Sequence, residues 1–192
     1  VAETLFVQIG EALPGQKELK YLNELEYQHL IYTRNQTEEE YPRDKTIHEL
    51  FEEQVIRTPD NLAVVYGEKE LSYRELNEKA NQLAHYLLEN YVIQPEQLIA
   101  LCLDRSEQVL IAILAVLKAG AAYVPIEPDF PDERIGYILE DTNTKLVLTN
   151  EVYKERLEKV IFNQRVSSSD SNVIEFPLKN VIALENQNIQ FE

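Results

Sequence analysis

Few side chains in this sequence stand where their types and spacing could do chemistry. Gly10 and Gly15 in GEALPGQK have the spacing of a phosphate-cradling loop, in which backbone N–H groups hold phosphate oxygens. That chemistry also needs a lysine directly after the second glycine, then a Ser or Thr for magnesium. Here Gln16 intervenes and Glu18 follows Lys17, so the stretch is not expected to bind a nucleotide. His29, His48 and His85 each fall in a helical stretch without a second His, Cys or convergent carboxylate at metal-ligand spacing, and they read as packed or solvated. Asp104, Arg105 and Ser106 occupy a strand-to-helix turn, a common location for sites in α/β proteins. No Gly-x-Ser-x-Gly elbow surrounds the serine, and capping of the next helix accounts for it. Cys102, the single cysteine, lies inside the apolar run LIALCLD and reads as an inert core thiol. The residues by themselves therefore name no catalytic, cofactor-binding or metal-ligating side chain.

Bulk properties narrow the class. With 192 residues, the chain can hold one domain and an appendage and can bury roughly 70% of its unfolded surface. A hydrophobic content of 44% and a charged content of 27% are those of a soluble globular protein. The net charge of −16 would be repelled by nucleic acid and by anionic membrane surfaces, so neither is an expected partner. No apolar run approaches the ~18 residues of a membrane span. One cysteine excludes an internal disulfide framework and fits a reducing, cytoplasmic setting. A start at Val1 with no Met anywhere is expected of a piece excised from a longer chain.

The elements that must position any site can be read from capping and periodicity. Residues 1–40 read as an appendage in which Leu22, Leu25 and Leu30 have loosely helical spacing, followed by the charged, Pro42-containing stretch NQTEEEYPRDK. Thr46 and Glu49 form a capping box for a short helix with the stripe Ile47, Leu50, Phe51 and Val55, which Pro59 stops. NLAVVYGEKELSY predicts a hairpin turning at Gly67. Ser72 and Glu75 cap the best helix, whose inner face is Leu76, Ala80, Leu83, Ala84, Leu87 and Leu88. QLIALCLD predicts a strand buried on both faces, and Ser106 is expected to cap the largely apolar helix EQVLIAILAVLK. Lys118 suits that helix's last turn and Gly120 its left-handed terminus. AAYVPI then predicts a strand with Pro125 at its end or on an edge, and Pro131 is expected at the first position of the helix ERIGYILEDT. KLVLT is a further strand, EVYKERLEKV a helix, NQRVSSSDSN a polar loop and NVIAL a last strand. The alternation implies an α/β fold with a mostly parallel sheet covered by helices.

Two of these strings carry a resemblance. LSYRELNEKANQLAHYL and LKAGAAYVPIEPDFPDERIGYILEDT resemble the first two core motifs of amino-acid adenylation domains in nonribosomal peptide synthetases. YPRDKTIHELFEEQVIRTPDNLAVVYGEKEL resembles the usual entry into such a domain, and YLNELEYQHLIYTRNQT the linker from a preceding condensation domain. The motif positions are Leu71, Tyr73, Glu75 and Leu76 in the first, and Leu117, Lys118, Ala119, Gly120, Tyr123, Val124 and Pro125 in the second. Tyr91 stands where such domains commonly carry glycine, and Glu127 replaces the more usual Asp after YVPI.

The resemblance implies an incomplete N-terminal portion of the adenylation-domain fold, truncated before the phosphate loop, with a short hairpin and an N-terminal helical linker. Residues 1–40 would be the linker and residues 41–192 the adenylation portion. It further implies a parent enzyme that condenses an amino acid with ATP, aided by magnesium, and passes the acyl group to a carrier phosphopantetheine thiol. In such enzymes the phosphate loop, amino-acid pocket, ribose-binding acid and catalytic lysine come later than the second motif. The chain by itself is then expected to be scaffold without activity and to hold no cofactor. Its implied partners are the rest of the adenylation domain, an upstream condensation domain and a downstream carrier domain. An MbtH-like small protein could dock on a surface at Pro131, Asp132 and Arg134, and a linker or docking module is the alternative reading. A truncated sheet would also leave an apolar face or open edge that favours self-association.

Overall fold

The computed structural model describes residues 22–167 and 180–184. Gly10, Gly15 and Lys17 lie outside the described residues, as does most of the polar stretch after Ser167. The chain divides into two compact units, Val1–Asp44 and Lys45–Glu192.

In the first unit, helix α1 spans Glu24–Ile31 and is followed by a single 3-10 turn at Thr33–Asn35. Asn23 opens α1 with a capping box: Glu26 N–H donates to Asn23 Oδ1 at 2.8 Å, and Asn23 N–H donates to Glu26 Oε2 at 3.0 Å. None of its residues is buried, and Leu25 is 82% exposed.

The second unit opens with α2, Ile47–Arg57, and the antiparallel hairpin of β1, Leu62–Tyr66, and β2, Lys69–Ser72. Both predicted capping boxes form. Thr46 N–H donates to Glu49 Oε2 at 2.6 Å, and Ser72 N–H donates to Glu75 Oε2 at 2.8 Å. The return bonds run from Glu49 N–H to Thr46 Oγ1 and from Glu75 N–H to Ser72 Oγ. Gly67 turns the hairpin with φ +62°, a value that L side chains rarely adopt.

Helix α3, Tyr73–Asn90, leads to the main sheet: β3, Leu98–Cys102; β4, Ala122–Pro125; β5, Leu146–Thr149; and β6, Asn180–Ala183. Helices α4, Glu107–Lys118, α5, Asp132–Asp141, and α6, Glu151–Ser167, connect them. All pairings are parallel and the spatial order is β4-β3-β5-β6. Pro125 ends β4, an outer strand, where a missing backbone donor costs least.

Side-chain alternation along the strands divides the core between the two faces. Ile99, Leu101, Leu146 and Leu148 pack with Leu83, Leu87, Ala112 and Val116 of α3 and α4. Ala100, Cys102 and Val147 face the other way, onto Ile135 and Leu139 of α5 and Leu157 and Val160 of α6. A third cluster joins Leu76, Ala80 and Leu114 to Phe51, Val64 and Leu71, seating the hairpin and α2 on α3 and α4.

Several local expectations shift. Leu88 is 48% exposed, so the buried face of α3 closes at Leu87. Ser106 precedes α4 but its hydroxyl donates back to Asp104 O at 3.3 Å and caps nothing. Pro131 is the N-cap of α5, one residue before the helix starts. The helix α6 continues through residues expected in a polar loop, as far as Ser167.

Candidate functional site

In a parallel sheet of order β4-β3-β5-β6, the connections that leave β3 and β5 run in opposite directions, which makes the carboxyl ends of these two strands the crossover point, here called the crossover crevice. Such a crossover point is where open α/β sheets usually bind ligands. Strand β3 delivers Asp104 to this point, and β5 delivers Asn150, which is only 5% exposed. Asp104 N–H donates to Asn150 Oδ1 at 2.8 Å, and Asn150 Nδ2 donates to Gln108 Oε1 at 3.1 Å. From α6, the Tyr153 hydroxyl donates to Asp104 Oδ1 at 2.9 Å. That bond, with smaller help from burial, raises the Tyr153 phenol above its ordinary range. One layer below, Thr149 Oγ1 donates to Cys102 O at 2.7 Å and ties the two strand ends together.

The loop from β4 to α5 borders the same end of the sheet. Arg156 of α6 holds it with three bonds: Nη1 to Pro128 O at 2.5 Å, Nη2 to Phe130 O at 2.6 Å and Nε to Asp132 Oδ1 at 2.7 Å. The Arg134 guanidinium lies 4.7 Å from the centre of the Phe130 ring. Pro131, Asp132 and Arg134, expected as a partner surface, are all exposed on this braced segment.

The motif residues fall elsewhere. Leu71 and Leu76 lie in the cluster under the hairpin, with Tyr73 and Glu75 in the first turn of α3. Leu117, Lys118 and Ala119 end α4, and Gly120 follows with φ +78°, where the chain turns back toward β4. Gly120 O accepts from Glu96 N–H at 3.1 Å, and Ala121 N–H donates to Val116 O at 3.1 Å. Lys118, its side chain 7% exposed, forms an ion pair with Glu52 of α2. Tyr123, Val124 and Pro125 form the outer strand β4. The second motif thus starts at the amino end of the sheet and only its last residues reach the carboxyl end. Leu76 and Leu114 share a cluster, so the first motif meets the helix that carries the second.

What this arrangement can do chemically is limited by its own pairing. The crevice floor is a set of donors and acceptors satisfied by one another. Cys102 is fully buried, and burial pushes its thiol up to about 11, which leaves no thiolate at neutral pH. His29 accepts from Arg34, His48 is within 3.2 Å of Thr46 Oγ1, and His85 is exposed on α3. Among the described residues no group of three His, Cys, Asp or Glu side chains could hold a metal ion, and no helix is long and apolar enough to cross a membrane.

Sequence reasoning found Asp104 but missed Asn150, Tyr153 and Arg156. A polar residue directly after a fully buried strand was a usable signal for Asn150. Arg156 had none, because a lone arginine on a polar helix carries no pattern.

The sequence matches the family described as AMP-binding enzyme over residues 51–188. It is 46% identical over 160 residues to an N-(5-amino-5-carboxypentanoyl)-L-cysteinyl-D-valine synthase of Amycolatopsis lactamdurans. That alignment covers 83% of this chain and 4% of the relative. Among solved structures, the Klebsiella oxytoca NpsA N-terminal subdomain superposes with a TM-score of 0.53 at 30% identity, covering 56% of this chain and 28% of that one. An artificially fused adenylation-PCP di-domain of NpsA and ThdA, an NRPS from the same organism, gives the same TM-score and identity over 56% of this chain and 20% of that one.

Proposed function

The chain belongs to the AMP-binding enzyme family, and on that premise we propose that it supplies the N-terminal scaffold of an amino-acid adenylation domain in a nonribosomal peptide synthetase. The whole enzyme would join an amino acid carboxylate to the α-phosphate of ATP, release pyrophosphate, and pass the acyl group to a carrier phosphopantetheine thiol. The observation that carries this reading is the family match over residues 51–188, which begins in α2 and takes in the hairpin, the parallel sheet and the helices on both its faces. The likeness to an adenylation-PCP di-domain supports a neighbouring carrier domain.

Magnesium does not fit the described residues of the crossover crevice. Asp104 is the carboxylate of the hydrogen-bonded network there, with Tyr153 donating to it, and Glu127 and Asp129 act on the same end of the sheet only through their charge. Among the described residues, no set of three metal-ligating side chains surrounds it. This chain's own part is therefore to hold the sheet and its crossover crevice rigid. Residues 1–40 act as the linker from a condensation domain and residues 41–192 as the adenylation portion. In support, α1 leaves Leu25, Tyr27, Leu30 and Ile31 exposed, side chains a linker would rest on a neighbour.

ATP–pyrophosphate exchange on the folded 192-residue chain, with a pool of amino acids, tests the scaffold reading. No amino-acid-dependent exchange is expected. Exchange above background would overturn it and put a working active site within these residues.

A second role is favoured by the braced β4–α5 loop. Arg156 holds it in one shape, so Pro131, Asp132 and Arg134 present a preformed docking surface for a small partner protein of the MbtH-like kind. Arg134→Glu is expected to weaken capture of such a partner at least tenfold while the chain stays folded by circular dichroism, as for a contact at an interface core.

A further inference from the structure

A cavity of about 550 Å³ lies between the hairpin, α3, the first turns of α4 and the end of β6. Its walls include Leu71, Leu83, Ile111 and Leu184. Beside this apolar wall the first turn of α4 brings Gln108 and Glu107, the latter 8% exposed. Glu107 Oε1 forms an ion pair with Lys69, while Oε2 is shut off from solvent and has no hydrogen-bond partner. Glu68 and Glu70 also line the cavity, as does Lys79, so the carboxylates there outnumber the ammonium groups.

A buried carboxylate oxygen without a donor is expensive, and a charged donor relieves it best. Lys69 meets that need only in part. Its side chain is 66% exposed and reaches Glu107 from the short, solvent-facing strand β2. An ammonium on so exposed a side chain stays solvated when another cation takes its place at Glu107. The volume is within the range of small-molecule sites.

We propose that this cavity binds a small primary amine with an apolar body, whose ammonium displaces the Lys69 ammonium from Glu107 while its body packs on Leu71, Leu83, Ile111 and Leu184. The carboxylate selects the charge and the apolar wall selects the body. The cavity adjoins the crossover crevice through Gln108, which lines the one and accepts from Asn150 in the other, and the proposal does not depend on the adenylation reading. Lys69 acts in the cavity as an internal competitor.

The test is a titration of the 192-residue chain with 2-phenylethylamine, followed by methyl NMR, beside its uncharged counterpart 2-phenylethanol. The amine should bind saturably, move the methyl signals of Leu71, Leu83, Ile111 and Leu184, and bind about tenfold more tightly than the alcohol. Lys69→Gln should strengthen amine binding by removing the competitor, and Glu107→Gln should weaken it about tenfold while leaving the alcohol unchanged. Equal binding of amine and alcohol, absence of saturation, or shifts confined to other methyl groups would each overturn the proposal. If Glu107→Gln fails to fold, the amine–alcohol comparison and Lys69→Gln still decide it. Weaker amine binding in Lys69→Gln rejects the displacement.

Discussion

At the scale of single residues, the structure converts two sequence features into measurable consequences. Cys102 sits at the end of β3 with its thiol pushed up from 9.0 to about 11 by burial. Because the folded value lies above the unfolded one, its contribution to stability is complete below about pH 9 and is lost as pH rises toward 11. Urea midpoints should therefore fall across that window, and Cys102→Ala should remove the cysteine's share of the slope. Tyr91, raised to about 12 mainly by burial, supplies a further slope at higher pH that the variant keeps. An unchanged profile in Cys102→Ala would contradict the assignment. Gly120 makes the second case. A Cβ there would meet nothing within 4 Å, so Gly120→Ala tests backbone strain alone at φ +78°. A loss of about 1 kcal/mol is expected by urea denaturation. This glycine was legible because helix ends favour the left-handed conformation. Arg156 was not, because its partners are 24 or more residues away in sequence.

Between elements, the decisive contact is the ion pair joining α2 to α4. Lys118 is buried and Glu52 is 45% exposed, so the two ends of the pair are not equivalent. Glu52→Gln strands a buried ammonium and should cost about 1–3 kcal/mol. Lys118→Met removes the charge and fills the same space, so it should cost less or even stabilise. Thermal melts of the two variants check the order, and a larger loss in Lys118→Met would refute it. The elements themselves were readable from the sequence. The capping boxes at Thr46 and Ser72, the hairpin at Gly67 and the short apolar strands are local patterns, and each formed where its residues predicted. The cap at Ser106 misled because the hydroxyl found a carbonyl two residues back, a competing local bond. Leu88 misled because a helical stripe does not say where the neighbouring helix ends.

For the molecule as a whole, the largest force left unbalanced by folding is its own charge. With a net charge of −16, the folded chain repels itself. Raising ionic strength from about 0.01 M to 0.15 M shortens the screening length from about 30 Å to about 8 Å. The melting temperature should rise over that range, and a flat or falling series would show that local pairing already neutralises the surface. The strand order carries one last implication, for synthesis rather than stability. In β4-β3-β5-β6, every strand after β3 lies beside one that was made before it: β4 on one flank of β3, β5 on the other, and β6 against β5. No strand has to wait for a later one to hold its place. A chain emerging from the ribosome can therefore extend this sheet outward from β3 in the order of translation, each new strand finding its neighbour already made.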